Sequence, residues 1–460
     1  MLASLVTRKN ASTLPLLPMD EAAFQAWSRR QSKARRAWLD RSEFAPRGNR
    51  VLLVPGPKGP SLALLGTSEK GPWPYAGAAQ RLPPGRYRLD GTRSEEDATD
   101  AATGWALAHY RFDRYQTGAA KKPRELIWPK GADRAEVRRR VESTGWVRDL
   151  INTPAEDLGP AELTEEAKRL AARYGAKARV VSKKRLRDGF PMVHAVGRGS
   201  EREPRLIDLT WGAPGAPTLT LVGKGVCFDS GGLDLKSSGG MLRMKKDMGG
   251  AALVLGLALR IMDAGLPVRL RVLVPTVENM PGPGAFRPLD VLTSRSGKTV
   301  EVSNTDAEGR LILADALCLA DEEAPGLIID CATLTGSARM AVGPEITPFF
   351  TRDRALADAF AGSARRVRDP VWRLPLHGGY RRHLDSRVAD LKNAASTSMA
   401  GSITAALFLR EFVGRDTPWL HLDVFGWNDY ARPGRPIGGE GNGLDALWAF
   451  VKARYGASES

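Results

Sequence analysis

The chain has 460 residues, which is too long for one ordinary hydrophobic core and indicates two domains. Apolar residues make up 42% of it, but no stretch approaches the roughly 18 consecutive apolar residues of a membrane-spanning helix, so we expect no membrane span. The net charge of +16 is uneven, because residues 1–200 hold 37 Lys and Arg against 22 Asp and Glu, whereas the remainder holds 31 against 30.

The cysteines and the N-terminus indicate the compartment. Cys227, Cys318 and Cys331 are odd in number and form no CxxC spacing, which favours small buried residues in a reducing environment. The apolar start is short, and Arg8 and Lys9 follow it, the reverse of the order in a secretory signal. We therefore expect a cytoplasmic protein. The basic, acid-poor first 19 residues leave an organelle transit peptide as the alternative.

The first 130 residues predict a small basic α/β domain. Residues 20–50 have a basic helical pattern in which Phe24, Trp27 and Trp38 lie among arginines. Our interpretation is a surface helix with aromatic anchors, and a nucleic-acid contact is the alternative. The sequence gives this domain no chemistry that we can name.

Three strands and one helix follow in the same domain. The strands are Val51–Val54, Leu62–Leu65 and Arg86–Leu89, and the helix is Ala101–Tyr115. A Pro and Gly-rich turn at 55–60 joins the first two strands.

A helix from Asp133 to Asn152 predicts a connector between domains. It ends there because Pro154 follows, and the residue before a proline is biased out of the helical region. The predicted division is thus a basic N-terminal domain at 1–130, a linker helix at 131–152 and a catalytic domain at 153–460.

Apolar runs alternate with helical patterns after residue 153. The helices are Pro160–Tyr174, Ala251–Ala264, Leu311–Glu322 and Leu407–Phe412, and the strands are Arg179–Ser182, Leu206–Leu209, Leu219–Val222, Leu270–Pro275, Leu327–Cys331 and Leu420–Val424. This alternation predicts an α/β fold in which a mixed, mainly parallel sheet is covered by helices. Ligand groups then belong at the carboxyl ends of the strands.

Two charged stretches follow predicted strands. The second stretch is residues 304–310. Asp306, Glu308 and Arg310 occupy alternate positions in it, so an extended backbone would place their side chains on one face. Their neighbours are apolar, and buried carboxylates must be paired, hydrogen-bonded or metal-bound. A salt-bridged strand end is the alternative interpretation. The first stretch, residues 224–250, sets Lys224, Asp229, Lys236 and Asp247 among glycines that allow close backbone approach.

These stretches resemble the leucyl aminopeptidase family of dinuclear metallopeptidases, peptidase family M17. The family signature matches Asn304–Leu311 without a gap, and the spacing of Lys224, Asp229, Lys236 and Asp247 is similar, as is that of Ala332–Gly336. The resemblance covers about residues 145–455 and is weak before them.

The residues and the resemblance together indicate a two-metal site. If Asp229, Asp247, Asp306 and Glu308 meet, they cannot all stay ionised alone, and two divalent cations would balance them. The five histidines form no metal-binding spacing, so oxygen ligands must dominate. The resemblance implies that Asp229 and Glu308 bridge two Mn²⁺ or Zn²⁺ ions. It also places Asp247 and Lys224 on the tighter site and Asp306 on the more exchangeable one, although a structural role for Lys224 is the simpler interpretation from the residues alone.

The resemblance also implies the other roles. Lys236 polarises the scissile carbonyl, and Arg310 holds a bicarbonate that accepts a proton; a salt bridge from Arg310 to Asp306 or Glu308 is the alternative. Positions near the substrate match Met244, Asn304, Thr333, Leu334 and Gly336, of which Met244 and Leu334 equally suit a core.

The implied activity is that of an aminopeptidase, in which a metal-bound water attacks the peptide carbonyl of a substrate with a free N-terminus. The resemblance implies a homohexamer, for which Trp372, Trp419, Phe425 and Trp427 are weak support because they suit a core as well. The alternatives are a nucleic-acid-binding protein that uses the basic region and a metal-dependent hydrolase of another amide.

Overall fold

A computed structural model of the chain describes residues 1–57, 59–67, 70–91, 93–118 and 123–456. The chain divides into two compact units: an N-terminal unit, Met1–Gly145 with Asp429–Ile437, and a C-terminal unit, Trp146–Asn428 with Gly438–Ser460. The boundary falls inside the helix Arg134–Asn152, close to the predicted connector. The finer division at residues 130 and 152 stays a prediction.

The N-terminal unit is built on a six-stranded sheet. Its strands are β1 (Leu5–Val6), β2 (Leu14–Met19), β3 (Val51–Gly56), β4 (Gly59–Gly66), β5 (Gly85–Leu89) and β6 (Arg124–Ile127). They lie in the order β1-β6-β5-β2-β4-β3, and all neighbours are parallel except β3 and β4. The two strands predicted on either side of residues 55–60 are present, and they pair with each other. Lys58, within the predicted turn, lies outside the described residues.

The helices of this unit differ from the predicted ones. They are α1 (Glu21–Arg29), α2 (Lys33–Arg41), α3 (Trp73–Arg81), α4 (Glu95–Leu107) and the start of α5 (Arg134–Asn152), with a short 3₁₀ helix at Leu2–Ser4. The basic segment 20–50 forms two helices rather than one, because the Asp20 and Ser32 side chains each cap a separate start. The predicted helix Ala101–Tyr115 begins and ends too late, since the Ser94 hydroxyl caps α4 at its true start.

The aromatic residues of the basic segment are anchors. Phe24, Trp27 and Trp38 pack against a small cluster of buried residues in the same unit, consisting of Met19, Leu39, Val54 and Leu64. The Phe24 ring also meets the ring of Phe44 edge-on at 5.3 Å between centroids. The interpretation of this segment as a surface structure with aromatic anchors is confirmed.

The C-terminal unit holds the larger set of elements. Its helices are the end of α5, α6 (Pro160–Tyr174), α7 (Lys183–Gly189), α8 (Pro191–Gly197), α9 (Ser238–Met241), α10 (Gly249–Asp263), α11 (Glu308–Asp321), α12 (Gly336–Val342), α13 (Arg354–Val367), α14 (Gly401–Arg410) and α15 (Leu444–Tyr455). Two 3₁₀ helices lie at Met244–Met248 and Gly378–Leu384. The predicted helix Leu407–Phe412 begins earlier than expected, within the preceding run of small residues.

Its strands form one large sheet and two small ones. They are β7 (Lys177–Val181), β8 (Arg205–Trp211), β9 (Thr218–Gly223), β10 (Gly225–Asp229), β11 (Arg269–Asn279), β12 (Val291–Thr293), β13 (Thr299–Glu301), β14 (Ile328–Ala332), β15 (Thr347–Phe350), β16 (Val371–Arg373), β17 (Leu391–Lys392), β18 (Trp419–Asp423), β19 (Trp427–Asn428) and β20 (Gly438–Gly439). The large sheet has the order β16-β15-β18-β14-β9-β11-β8-β7, with β10 paired to the end of β11. The small sheets are β12-β13-β17 and β19-β20.

The centre of the large sheet is parallel, as predicted. Strands β18, β14, β9 and β11 run parallel to one another, and antiparallel pairs occur only outside these four, at β15 with β18, at β11 with β8 and at β8 with β7. Side chains alternate between two separate apolar cores: Leu270 and Val272 of β11 lie in one and Leu273 in the other. Helix α10 packs in the first core and α11 in the second, so helices cover both faces. No helix in the described ranges is long and apolar enough to cross a membrane.

The start of α10 lies directly on β14. A Cβ at Gly250 would stand 2.1 Å from the carbonyl oxygen of Cys331, a backbone atom that cannot move aside. The amide of Ala251 donates to the carbonyl of Lys224, which fixes the same helix start to the end of β9. Glycine at 250 therefore sets the distance between the helix and the strand ends.

We expect Gly250→Ala to lower the free energy of unfolding by about 1–3 kcal/mol, the usual cost of overpacking a closed core. Urea denaturation followed by circular dichroism measures this change. Gly362→Ala is the matched control, because Gly362 lies in α13 and its Cβ would meet only arginine side-chain ends at 3.8 Å or more. That variant should be neutral or more stable by up to about 1 kcal/mol. Equal effects of the two changes would contradict the steric argument.

Candidate metal centre

The candidate site lies at the carboxyl ends of the central strands of the C-terminal unit. Lys224 follows β9, Asp229 ends β10, Thr333 follows β14 and Asp423 ends β18. A cavity of about 540 Å³ opens there. All twelve predicted site residues line it, namely Lys224, Asp229, Lys236, Met244, Asp247, Asn304, Asp306, Glu308, Arg310, Thr333, Leu334 and Gly336. The structure therefore brings together two sequence stretches that are about 60 residues apart.

Two lysines lie among the four carboxylates of the cavity, each next to a pair of them. The Lys224 Nζ lies 2.7 Å from Asp247 Oδ2 and 2.9 Å from Glu308 Oε1. It also donates to the carbonyl of Thr333 at 2.8 Å. Burial opposes its charge, yet the two carboxylates raise the pKa of Lys224 well above its usual range. In this arrangement Lys224 is a buried ammonium.

Lys236 makes the second pair. Its Nζ lies 2.8 Å from Asp229 Oδ2 and also contacts Asp306 Oδ1. Its side chain is 15% exposed, so the ammonium borders the cavity while it joins the two carboxylates. Burial again opposes the charge, and Asp229, Glu308 and Asp306 raise its pKa.

The carboxylates have the properties of a cation site. One oxygen each of Asp229, Asp306 and Glu308 lies within 4.8 Å of the others. Burial and the charge of Asp229 raise the pKa of both Asp306 and Glu308. Glu308 Oε1 and Asp306 Oδ1 are buried and accept no well-aligned hydrogen bond, although the lysines approach them. Cations would relieve this repulsion, so the residues fit divalent metals bound through oxygen.

The conformation of the second stretch differs from the prediction. Residues 304–307 form a turn, and Glu308 begins helix α11, so the segment is not extended. The three charged side chains still reach one cavity, because the turn carries Asp306 while Glu308 and Arg310 lie in the first turn of the helix. Gly309 between them is close to Lys224: a Cβ there would stand 2.4 Å from Lys224 Cε.

Arg310 has no carboxylate partner among the residues that the structure describes. Its guanidinium is buried, its Nη1 donates to the carbonyl of Asn393 at 2.6 Å, and its Nε has no hydrogen-bond partner. Within the described part of the chain it forms no ion pair with Asp306 or Glu308, so the salt-bridge alternative is wrong. Burial lowers the pKa of Arg310 to about 10, which still leaves it charged at neutral pH.

Asn393, which the sequence did not single out, holds the turn that carries Asp306. Its Oδ1 accepts from the amides of Ser303 at 2.8 Å and Asn304 at 3.2 Å, and its Nδ2 donates to the carbonyl of Asn304 at 2.6 Å. The residue is fully buried directly after β17, which pairs with β13. No motif marks it, because its role depends on contacts about 90 residues away in the chain.

Two further buried polar residues join the parts of the site. Asn279 at the end of β11 donates to Asp229 Oδ1 and to the carbonyl of Thr305, which links the two charged stretches. Asp423 accepts from the amides of Leu334 and Thr335, each at 3.1 Å, and so fixes the loop before α12. Asp423 ends a strand that the sequence predicted. Its place at the carboxyl end of that strand was the signal by which the sequence could have indicated a role in the site.

Two more cations line the cavity beside the predicted set. Lys246 in the 3₁₀ helix Met244–Met248 and Arg339 on α12 lie over the ring of Phe425, at 5.2 and 4.3 Å from its centroid. Burial lowers the pKa of Lys246 to about 8. The sequence contains a signal for Lys246, since it directly precedes Asp247 in the first charged stretch.

Comparison with known families gives two matches along the chain. The profile described as "Cytosol aminopeptidase family, catalytic domain" matches residues 145–448, and that described as "M17 aminopeptidase, N-terminal domain" matches residues 14–129. Peptidase B of Pectobacterium atrosepticum is 44% identical over 349 residues, which are 73% of this chain and 80% of that protein. A probable cytosol aminopeptidase of Geobacter sulfurreducens is 40% identical over 371 residues, 77% of this chain and 74% of that protein.

Solved structures have the same fold. The cytosol aminopeptidase of Coxiella burnetii superposes with a TM-score of 0.94 at 44% identity and covers 98% of this chain and 100% of that one. The bottromycin maturation enzyme BotP, solved in complex with Mn, has a TM-score of 0.87 at 34% identity and covers 96% of this chain and 100% of that one. The predicted α/β fold is confirmed.

Proposed function

Because the chain belongs to the cytosol aminopeptidase family, whose members are metal-dependent aminopeptidases, we propose that the described cavity removes N-terminal amino acids from peptides with the help of two divalent cations. The observation that carries this proposal is the meeting of Asp229, Asp306 and Glu308, with oxygens within 4.8 Å of one another, in a cavity large enough for a terminal residue. The comparisons give no support to the alternative functions.

The proposed ligands are four carboxylates and one amine. Asp229 and Glu308 would bridge the cations, Asp247 and a neutral Lys224 would complete the tighter site, and Asp306 would complete the more exchangeable one. Mn²⁺ and Zn²⁺ are the metals we propose, since both accept carboxylate oxygen and BotP was solved with Mn. When bound, the cations would supply Lewis-acid activation of water and of the scissile carbonyl.

Lys224 must change its protonation state for this role. In the structure the Lys224 side chain is an ammonium between Asp247 and Glu308. An amine that coordinates a metal must be neutral, so Lys224 would have to lose one proton. The carbonyl of Thr333 beside it keeps the nitrogen oriented into the cavity. Metal binding should therefore release protons, and isothermal titration in buffers of different ionisation enthalpy measures that release.

Lys236 and Arg310 supply the positive charge that the reaction uses. When cations bind Asp229 and Asp306, the Lys236 ammonium becomes available to stabilise the negative oxygen that forms on the substrate carbonyl. Arg310 is a buried guanidinium with an unpartnered Nε, which supports an anion such as bicarbonate beside it as proton acceptor. Recovery of activity when bicarbonate is added to a bicarbonate-depleted enzyme would support that role.

The substrate would lie among the remaining lining residues. We propose that Met244, Asn304, Thr333, Leu334 and Gly336 surround its first residue. Its free α-amino group would bind one cation, which explains cleavage from the N-terminus. Asn304 Oδ1 also accepts a hydrogen bond from the amide of Asp306 at 2.7 Å. A substrate that contacts Asn304 would therefore affect the position of the Asp306 turn.

The proposal does not extend to nucleic acid. The aromatic residues of the basic segment, Phe24, Trp27 and Trp38, pack in an apolar cluster rather than standing free for stacking on bases. We place the protein in the cytoplasm, because its three cysteines are buried free thiols and similar proteins are named cytosol aminopeptidases. Cell fractionation would check this location.

We expect the metal-loaded enzyme to hydrolyse leucine p-nitroanilide and to leave its N-acetylated form intact, because only a free amine can bind a cation. Absorbance of released nitroaniline, with and without added Mn²⁺ or Zn²⁺, measures both reactions. Equal rates on the free and acetylated substrates would favour a hydrolase of another amide instead.

Asp306→Asn and Lys236→Ala should differ in their effect on metal content. Asp306→Asn removes a charged ligand, so we expect loss of metal and a fall in turnover of roughly 100-fold or more. Lys236→Ala removes an ammonium that competes for Asp229 and Asp306, so metal should be retained while turnover falls. Elemental analysis and turnover on leucine p-nitroanilide measure both. Full turnover of Asp306→Asn with unchanged metal would refute the ligand assignment.

The family resemblance leads us to propose a homohexamer. Exposed apolar side chains of the C-terminal unit support an assembly: Leu242 is 79% exposed, Met399 77% and Trp372 63%. Trp419 and Phe425 belong to the interior and give no support. Light scattering should give a mass near six chains of 49.9 kDa. A monomer at micromolar concentration would contradict the proposal.

A further inference from the structure

A buried hydroxyl joins the two charged stretches of the site. Thr305 is fully buried and directly precedes Asp306. Its Oγ1 donates to the carbonyl of Gly231 at 2.7 Å and accepts from the amide of Asp234 at 2.8 Å. Its own amide donates to Asp234 Oδ2 at 2.6 Å. Three hydrogen bonds of one residue therefore run from the Asp306 turn to the loop that carries Lys236.

This loop, residues 230–236, is called the lysine loop below. Its two ends are joined by the amide of Lys236, which donates to the carbonyl of Ser230 at 2.9 Å. Its outer part gains little from apolar packing, because Leu233 is 46% and Leu235 61% exposed. Hydrogen bonds from outside the loop must therefore hold it in place.

Glycine at position 232 lets the lysine loop lie against Thr305. Its φ is +67°, and a Cβ there would stand 3.1 Å from Thr305 Oγ1 and 2.8 Å from Asn279 Oδ1. The side-chain amide of Asn279 donates to the carbonyl of Thr305 at 3.1 Å. Each polar atom of Thr305 thus binds either the lysine loop or Asn279, whereas Thr305 itself does not line the cavity. Its role is to hold other groups.

We propose that Thr305 is a positioning residue for peptide hydrolysis, whose hydroxyl fixes the distance between Lys236 and Asp306. The inference rests on the aminopeptidase function proposed above. Lys236 contacts Asp306 from the lysine loop, and Thr305 ties that loop to the turn that carries Asp306. Without the hydroxyl the two charged groups would separate, and a displacement of about 1 Å in an active site can cost roughly 100-fold in rate.

Thr305→Val tests the hydroxyl, because valine has nearly the same shape and no hydrogen-bonding group. With saturating Mn²⁺ we expect kcat on leucine p-nitroanilide to fall by roughly tenfold or more, while KM stays within about threefold, because Thr305 does not touch substrate. Isothermal titration of the metal-free chain should show a Mn²⁺ dissociation constant raised by about 10-fold or more, as when a group that orients a ligand is lost. Thr305→Ser keeps the hydroxyl and should return both values close to those of the wild type.

Thr164→Val is the matched control. Thr164 is fully buried in α6 of the same unit, and its hydroxyl donates to the carbonyl of Pro160 at 2.7 Å. Its loss should lower the melting temperature, but kcat and the Mn²⁺ affinity should equal those of the wild type.

Asp234→Ala carries the test if Thr305→Val does not fold. Asp234 is exposed and does not line the cavity, and its carboxylate accepts the Thr305 amide. The same two changes should appear in this variant, a lower kcat and weaker Mn²⁺ binding.

The assignment is overturned if folded Thr305→Val has the kcat and Mn²⁺ affinity of the wild type, or if Thr305→Ser is as impaired as Thr305→Val. Equal effects of Thr305→Val and Thr164→Val on both quantities would leave Thr305 only a general stabilising role. A wild type that hydrolyses no substrate would overturn the aminopeptidase function and this role with it. An active wild type with an unimpaired Thr305→Val variant overturns the positioning role alone.

Discussion

The central constraint on this protein is the burial of four carboxylates in one cavity. Asp229, Asp247, Asp306 and Glu308 would repel one another strongly at low dielectric, and the chain offsets this with two lysines, each placed between two of them. Each lysine ammonium carries a single positive charge, so the two lysines offset only half of the four negative charges, and two dications would turn the remaining net negative charge into a net positive one. The same geometry that stabilises the metal-free chain thus prepares a site that attracts anions and developing negative charge once metal is bound.

The architecture of the sheet holds these carboxylates close together. Parallel strands β9, β14 and β18 end at one edge, where backbone groups are no longer paired within the sheet and can bind side chains or ligands. Two apolar cores hold these strand ends in place from opposite faces. Glycines at 250 and 309 remove the side chains that would otherwise separate α10 from β14 and α11 from Lys224. Rigid packing therefore fixes groups that would move apart if they were on flexible loops.

Polar residues outside the charged cluster determine its orientation. Asn393 and Asn279 each bind backbone groups of the 303–307 turn, and Asp423 binds the loop that follows β14. The order of residues in the chain does not predict these contacts. They join segments that are distant in sequence, and the shape of the cavity depends on them as much as on the charged residues. The same holds for Phe425, which gives Lys246 and Arg339 a common surface.

The sequence by itself determined which residues gather and what class of fold holds them. Hydrophobic alternation predicted the helix-covered parallel sheet, because it is a local pattern that one stretch of chain can carry. The resemblance of the two charged stretches to the leucyl aminopeptidase family implied that Lys224, Asp229, Asp247, Asp306 and Glu308 gather, and all five line one cavity. The expectation of an extended conformation for residues 304–310 was wrong, since alternation in sequence cannot distinguish a strand from a turn that leads into a helix. Tertiary structure alone decided that Asn393 holds the Asp306 turn, and that Arg310 and Lys246 line the cavity with no carboxylate partner in the described ranges of the chain. Each of these facts depends on distances between segments far apart in the chain, and such distances are set by how two apolar cores pack around the sheet rather than by any local pattern.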